Sequence, residues 1–366
     1  MTHDLSDPTT LSLLRMVGLG LVPDLFGPSM GAAPGQTPTA PDLTDTVSAV
    51  GALQSQDWNG ALHTLATRDR NHSLVAVRRA FDGGGLVRTW PMRGTLHTVA
   101  AADLPWLLSA TRDRTGRLTA RRRAQLGISE QVLENALEVA HRMLSLRRCT
   151  RGEVVEEWRS EGLIEEVPGR AYHLFMTLCY RGHLALGPIG PDGGQLVVEL
   201  SVAEPIGDPL AAYVRRYFTS HGPATLEDLA RWSGLTKTVL KRYAIAARDR
   251  GELASTVAAG RELWHRPGLD AIPGDVLDAA ARMVLLSGFD ELILGYRDRS
   301  CTLAPELETR ICPGGNGMFK HTIVEGGRVV GTWRRDRTGD PVPEFFATAT
   351  KRRLKSFGDA VRRMPA

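Results

Sequence analysis

The chain has little cysteine, little lysine and no long apolar run, and each shortage removes a class of protein. Its four cysteines, Cys149, Cys179, Cys301 and Cys312, form no Cys-x-x-Cys pair and have no histidine at ligand spacing. That argues against a zinc site and against a disulfide scaffold, so no metal is expected and a reduced, cytoplasmic setting is. No apolar stretch reaches the ~18 residues that cross a bilayer, and the first seven residues lack the basic start of a signal peptide. A P-loop, a complete GxGxxG and a GxSxG are also missing, which disfavours nucleotide-dependent and serine-hydrolase chemistry and implies no cofactor. Only five of the 45 basic residues are lysine, none before Lys237. Codon usage accounts for part of such a bias, so the clustering of the arginines carries more than their number.

What is present is an ordinary globular composition, 42% hydrophobic and 23% charged with a net charge of +4. At 366 residues the chain exceeds what one core usually organises, and two to four domains or tandem modules are expected. Residues 8–26 read as a short apolar helix, and 28–42 as a Pro/Gly-rich linker. Helices are expected at 44–54, 61–70 and 73–81, then a hairpin of 86–90 and 95–99 around a Pro91-Met92 corner, and then a helix capped by Asp103. The order repeats. Thr150-Arg-Gly-Glu153 is a capping box, followed by a helix at 171–181 and strands at 184–186 and 195–200. A third round opens at Thr225-Leu-Glu-Asp228, with a helix at 236–248 and a hairpin around Ala258-Ala-Gly260. Strands at 284–286, 291–296, 319–324 and 329–333 then suggest a small β unit, and 343–363 a basic terminal helix. Helices followed by a two-stranded hairpin, three times over, make three tandem winged helix-turn-helix modules in an α+β chain. The boundaries read as 1–124, 125–205, 206–270 and 271–366.

Leu53-Gln54-Ser55-Gln56-Asp57-Trp58 is the stretch the rest is organised around. Residues two apart on a helix do not face each other, so two carboxamides serving one site require the chain to leave the helix here. Asp57-Trp58-Asn59-Gly60 suits the start of the next helix. A Gln-x-Gln triplet is a weak signal by itself, and solvated glutamines at a helix end are its bland reading. The densest charge run is Arg112, Arg114, Arg117, Arg121, Arg122 and Arg123, opposed only by Asp113. Six guanidiniums at that density suit phosphates, although a solvated helix face would look the same. Arg170, Arg181, Lys237, Lys241 and Arg242 sit on the second helices of the later modules, where duplex contacts are expected. At the first hairpin, Thr95 and His97 share a strand face beside Arg93. A lone histidine there is more often structural.

Taken together, the Gln-Ser-Gln corner, Arg88-Thr-Trp-Pro-Met-Arg-Gly-Thr-Leu-His97, Phe289-Asp-Glu-Leu-Ile-Leu-Gly-Tyr-Arg-Asp-Arg299 and Gly327-Arg-Val-Val-Gly-Thr-Trp333 occur in one order. This ordered set resembles the bacterial winged-helix DNA glycosylases of the AlkZ/YcaQ type over residues 10–350. The resemblance implies three winged helices in a C-shape with a small β element, and a basic concave face holding double-stranded DNA. It also implies a monomer associated with the nucleoid. The implied activity is monofunctional excision of N7-alkylated purines, including the unhooking of interstrand crosslinks made by bacterial genotoxins such as azinomycin. The Gln-x-Gln form, which falls on Gln54 and Gln56, resembles the AlkZ branch; the YcaQ branch has Gln-x-Asp. Gln56 is expected to position water and Gln54 to support it, with Asp57 as a rival base. Arg93, His97, the Arg112–Arg123 set, Lys237, Lys241, Arg297 and Arg299 are the expected DNA contacts. The competing readings are a non-catalytic winged-helix regulator and a homologue that binds damage without excising it.

Overall fold

A computed structural model of the chain describes residues 3–23, 42–164 and 167–365. Apart from Asp42, the Pro/Gly-rich stretch lies outside the described residues. The helices are α1 (Pro8–Gly18), α2 (Leu43–Val50), α3 (Trp58–Thr67), α4 (Leu74–Asp82), α5 (Leu104–Gln125), α6 (Glu130–Leu146), α7 (Arg151–Ser160), α8 (Arg170–Tyr180), α9 (Pro209–His221), α10 (Leu226–Ser233), α11 (Lys237–Asp249), α12 (Gly274–Ala280), α13 (Glu291–Leu294), α14 (Glu308–Ile311) and α15 (Lys351–Arg362). The strands are β1 (Leu53–Gln54), β2 (Leu86–Met92), β3 (Thr95–Ala100), β4 (Leu184–Ile189), β5 (Gln195–Glu199), β6 (Ala254–Ala258), β7 (Arg261–His265), β8 (Val284–Leu286), β9 (His321–Glu325), β10 (Arg328–Arg335) and β11 (Pro341–Phe345). Among the described residues no helix is long and apolar enough to cross a membrane.

The chain folds as two compact units, Arg78–Tyr213 and the combination of Met1–Val77 with Val214–Ala366. In the Arg78–Tyr213 unit, β3, β2, β4 and β5 lie side by side, and Arg88 opposite Leu186 joins the two hairpins. Its core gathers Trp90, Leu133, Trp158, Phe175 and Leu178 from strand and helices alike. The indole N–H of Trp158 stays buried by donating to the Ala136 carbonyl at 2.8 Å. The expected capping box opens α7: Glu153 N–H donates to Thr150 Oγ1, and Thr150 N–H donates to the Glu153 carboxylate. That backbone bond, with Arg147 behind it, holds the Glu153 carboxyl down at about 2.

In the other unit, β11, β10, β9 and β8 form an antiparallel sheet, and β6 pairs with β7. Met283, Leu285, Ile323, Trp333 and Phe357 pack on that sheet. The capping box at Thr225 and Asp228 opens α10 as expected, and Gly234, left-handed at φ 72°, ends it. Helix α1 is tied down by Arg15, whose buried guanidinium lies 3.9 Å from the Tyr296 ring centre and donates to the Pro223 carbonyl at 2.9 Å.

Several expected elements end elsewhere, each for a local reason. The helix expected to reach Gln54 stops at Val50, because Gly51 takes φ 96°. The first hairpin turns at Arg93-Gly94, both left-handed, and Pro91-Met92 remains in β2. A two-residue turn with two positive φ angles matches strand twist, which Pro-Met cannot do. Asp103 stands at the start of α5, but its side chain accepts from the Trp106 indole and not from the backbone. Glu291–Leu294 is a helical turn and not a strand, since Asp290 caps it by accepting from Leu292 N–H. Residues 341–345 pair with β10, so the terminal helix begins only at Lys351.

A fully buried ion pair in this unit joins Arg68 to Asp290 at 2.7 and 3.1 Å. Asp290→Asn leaves a buried guanidinium without its counter-charge and is expected to cost about 3–5 kcal/mol in urea unfolding. Adding Arg68→Met to that variant should recover part of the loss. A single variant as stable as wild type would mean that the pair does not hold the unit.

Candidate active site

The Gln-Ser-Gln corner sits between two helix ends. Once Gly51 has broken α2, Leu53–Gln54 runs extended, and α3 starts at Trp58. Asp57 caps α3 by accepting from Gly60 N–H at 3.1 Å, as the sequence led one to expect. Gly60 allows this approach, since a Cβ there would stand 2.6 Å from the Asp57 carboxylate. Ser55 is buried, and its hydroxyl donates to the Leu53 carbonyl at 2.8 Å. Gln54 is half-buried, while Gln56 and Asp57 are exposed.

Beneath the corner lies a buried polar network. Gln54 N–H donates to Glu291 Oε1 at 3.2 Å, and the Trp232 indole N–H donates to Glu291 Oε2 at 3.0 Å. His221 brings its Nε2 to 3.5 Å from the same oxygen and stacks on Tyr217 at 4.4 Å, and its burial lowers its pKa against the pull of Glu291. Tyr217 donates to the Gly295 carbonyl and Tyr296 to that of His221. Gly295 is required here, because a Cβ would meet the Glu291 carbonyl at 2.6 Å and the His221 ring at 2.7 Å. Asp228 works in the same way: it accepts from the backbone N–H groups of Arg297 and Asp298 at 2.8 and 3.1 Å.

On the far side of α3, His321 stacks on Trp333 at 4.7 Å and its Nδ1 accepts from Gly288 N–H at 3.0 Å. The ring proton therefore sits on Nε2. Burial lowers the pKa of this histidine, with the negative charge of Asp57 pulling the other way. Among the described residues no three His, Cys, Asp or Glu side chains cluster as metal ligands would, and the four cysteines are free thiols.

The expected DNA contacts fall into separate groups. All six arginines of the run lie on α5; Arg112, Arg117, Arg121 and Arg122 are exposed, and Arg114 and Arg123 half-buried. An open groove beside them is lined by Arg112, Arg117, Arg123, Tyr180, Arg181 and His183. Glu130 reaches into this cluster, accepting from Arg181 at 2.5 and 2.8 Å and standing 3.6 Å from Arg123. Lys241 and Arg242 are exposed on α11, whereas Lys237 is paired with Glu227 at 2.6 Å. Arg170 opens α8. At the first hairpin, His97 is fully buried; its Nδ1 donates to the Thr95 carbonyl at 2.9 Å, and Arg93 Nη2 stands 3.5 Å from Nε2. His97 supports the turn. Arg297 is exposed, but Arg299 is largely buried, 5.6 Å from the Phe319 ring centre and 3.6 Å from Glu308. It ties its loop down.

Sequence reasoning assigned no role to Glu291, Trp232, His221 or Arg68, nor to the paired Glu130. One signal for the first group was there to be read. Phe289-Asp-Glu-Leu-Ile-Leu places two acids in an apolar run, and charges in such a run are buried only with partners.

The comparisons with known proteins agree with this architecture. The Streptomyces sahachiroi DNA glycosylase AlkZ has the same fold, with a TM-score of 0.72 at 24% identity over 99% of this chain and 97% of that one. The chain is also 26% identical over 314 residues to a Streptomyces sahachiroi interstrand DNA cross-link repair glycosylase, across 81% of this chain and 82% of the relative. The fold is thus that of a DNA glycosylase. The sequence profile of the DNA glycosylase AlkZ-like family matches residues 47–365, and the chain belongs to that family of DNA repair enzymes.

The cap assigned to Asp57 is open to test. Asp57→Ala should lower stability by about 1 kcal/mol, the usual loss for an N-cap, and Asp57→Asn should cost almost nothing, since Asn caps as well. Equal urea midpoints for Asp57→Ala and wild type would remove the cap.

Proposed function

We propose that the chain is a monofunctional glycosylase, acting as a monomer, that removes N7-alkylated purines from double-stranded DNA by attack of water at C1′. The observation that carries the reading is the Gln54-Ser55-Gln56 corner, which leaves the short strand Leu53–Gln54 for a bend at Gln56 outside both helices, with Gln56 exposed and Gln54 half-buried. Outside a helix the two carboxamides are free of the spacing that would turn residues two apart away from each other. Alkylation at N7 makes the purine a cationic leaving group, so the protein needs chiefly to orient water and face developing positive charge. A carboxamide oxygen does both. Gln56 is the water-positioning residue and Gln54 supports the water or the sugar. Asp57 is the weaker candidate for this task, since its carboxylate already caps α3.

The order of elements supports three tandem winged helices as the DNA-binding frame. They are α2–α4 with β2–β3, α6–α8 with β4–β5, and α9–α11 with β6–β7, followed by the small sheet and α15. Module boundaries near 124, 205 and 270 follow from that order. The exposed arginines of α5, with Lys241, Arg242 and Arg297, would contact phosphates. The name of the Streptomyces relative motivates extending the substrate to interstrand crosslinks. A base tied to both strands cannot be flipped out freely, and a corner that acts without full extrusion avoids that barrier.

Excision from a duplex carrying one N7-methylguanine, read after alkaline cleavage of abasic sites, tests the site. Gln56→Ala should slow it by about 10²–10³ with duplex affinity retained. If Asp57→Asn is the damaging change and Gln56→Ala is not, the roles are reversed. Replacing Arg112, Arg117 and Arg121 with Gln should weaken duplex binding and flatten its salt dependence by a slope of about 2–3. Unchanged binding would return α5 to a solvated face.

A further inference from the structure

We propose that Glu291 is the positioning residue of the Gln54–Gln56 corner: its buried carboxylate takes the Gln54 peptide N–H and so fixes where the two carboxamides stand. The proposal rests on reading that corner as the reacting centre. Glu291 is fully buried, and a carboxylate is among the most costly groups to bury. An apolar side chain on the inward face of α13 would pack there without that cost. The bonds the carboxylate makes indicate what it does. Oε1 accepts from Gln54 N–H at 3.2 Å, and Oε2 accepts from the Trp232 indole at 3.0 Å. The corner is thereby tied across 237 residues of sequence to α13 and α10, both rigid elements of the same unit.

The neighbouring bonds keep Glu291 itself in place. Asp290 caps α13 and pairs with Arg68 at the end of α3, so two consecutive acids grip the two ends of one segment. Glu291 holds its start at Gln54; Asp290 holds its close at Arg68. Between them, Ser55 bonds back to Leu53 and Asp57 caps α3. A segment fixed at both ends, with its exposed glutamine two residues from the anchored start, is preorganised in the sense that catalysis by positioning requires. His221 brings its Nε2 to 3.5 Å from Oε2, and burial favours its neutral form.

Three measurements test this together: single-turnover excision of N7-methylguanine from duplex, affinity for the same duplex, and amide exchange at Gln54. In wild type the Gln54 amide should exchange orders of magnitude more slowly than the same amide in the urea-unfolded chain. Glu291→Leu, which leaves Gln54 N–H without this acceptor, should speed its exchange and cut the maximal excision rate about 10- to 100-fold, with the duplex Kd within about threefold. Glu291→Gln restores an acceptor oxygen, but its NH2 would face the Trp232 indole N–H. It is therefore made in a Trp232→Phe background, where most of the lost rate should return.

The proposal is overturned if folded Glu291→Leu excises at the wild-type rate, if the Gln rescue variant is no better than Leu, or if rate and affinity fall in step. Should Glu291→Leu fail to fold, wild-type exchange decides, and a Gln54 amide that exchanges as fast as in the urea-unfolded chain overturns it. Gln56→Ala separates the two levels. If it leaves excision intact, the corner is not the reacting centre, and the failure is that of the underlying reading. If it abolishes excision while Glu291→Leu does not, the corner stands and the anchor falls.

Discussion

Two consecutive acids, Asp290 and Glu291, hold the segment on which the proposed activity depends. Both are fully buried, and each is tied to a different part of the segment that carries the two glutamines. An isolated buried carboxylate would cost several kcal/mol, so such groups persist only where their partners are fixed in place. Here the partners are the Arg68 guanidinium, the Trp232 indole and a peptide N–H. The same logic recurs at Asp228, which caps α10 and also accepts from the backbone that follows α13. Three buried acids thus replace the continuous apolar packing that a short helix and a two-residue strand could not supply.

This arrangement accounts for the division of labour between rigid and exposed parts. The carboxamides stand on backbone that is bonded from below, while the charged residues suited to phosphates lie on outward helix faces. Long-range attraction tolerates mobile side chains; orientation of a water does not. On α5 the charge is graded, since Glu130 already occupies Arg181 and stands close to Arg123. Arg112, Arg117, Arg121 and Arg122 are the exposed members of the run.

Much of the secondary structure was legible in the sequence because its signals are local. The capping box at Thr150/Glu153, the helix starts at Thr225 and Asp57 and the adjoining strands expected at 319–324 and 329–333 all form where their residues stand. The errors fall where a tertiary bond or a single glycine decides. Gly51 ends α2 four residues before the pattern suggests, and Asp290 turns an apolar strand-like run into a helical turn. At the candidate site, residues with a visible chemical type could be named from the sequence, and the groups that hold them could not. Glu291 lies 237 positions from Gln54, and no spacing rule connects them. His97 and Arg299, expected from the resemblance to contact DNA, lie in the fold as a buried histidine bonded to the Thr95 carbonyl and an arginine 3.6 Å from Glu308.

Weak leaving-group bonds, a positioned water and a basic frame make one chemical account, in which the purine leaves whole and the sugar–phosphate chain stays intact. Its most direct measurement follows both products in one reaction, with a duplex bearing a single N7-methylguanine. Mass spectrometry should find the free intact base, released well above the spontaneous depurination rate. The strand should break only after alkali. Base release no faster than the uncatalysed rate, or strand cleavage without alkali, would contradict the account.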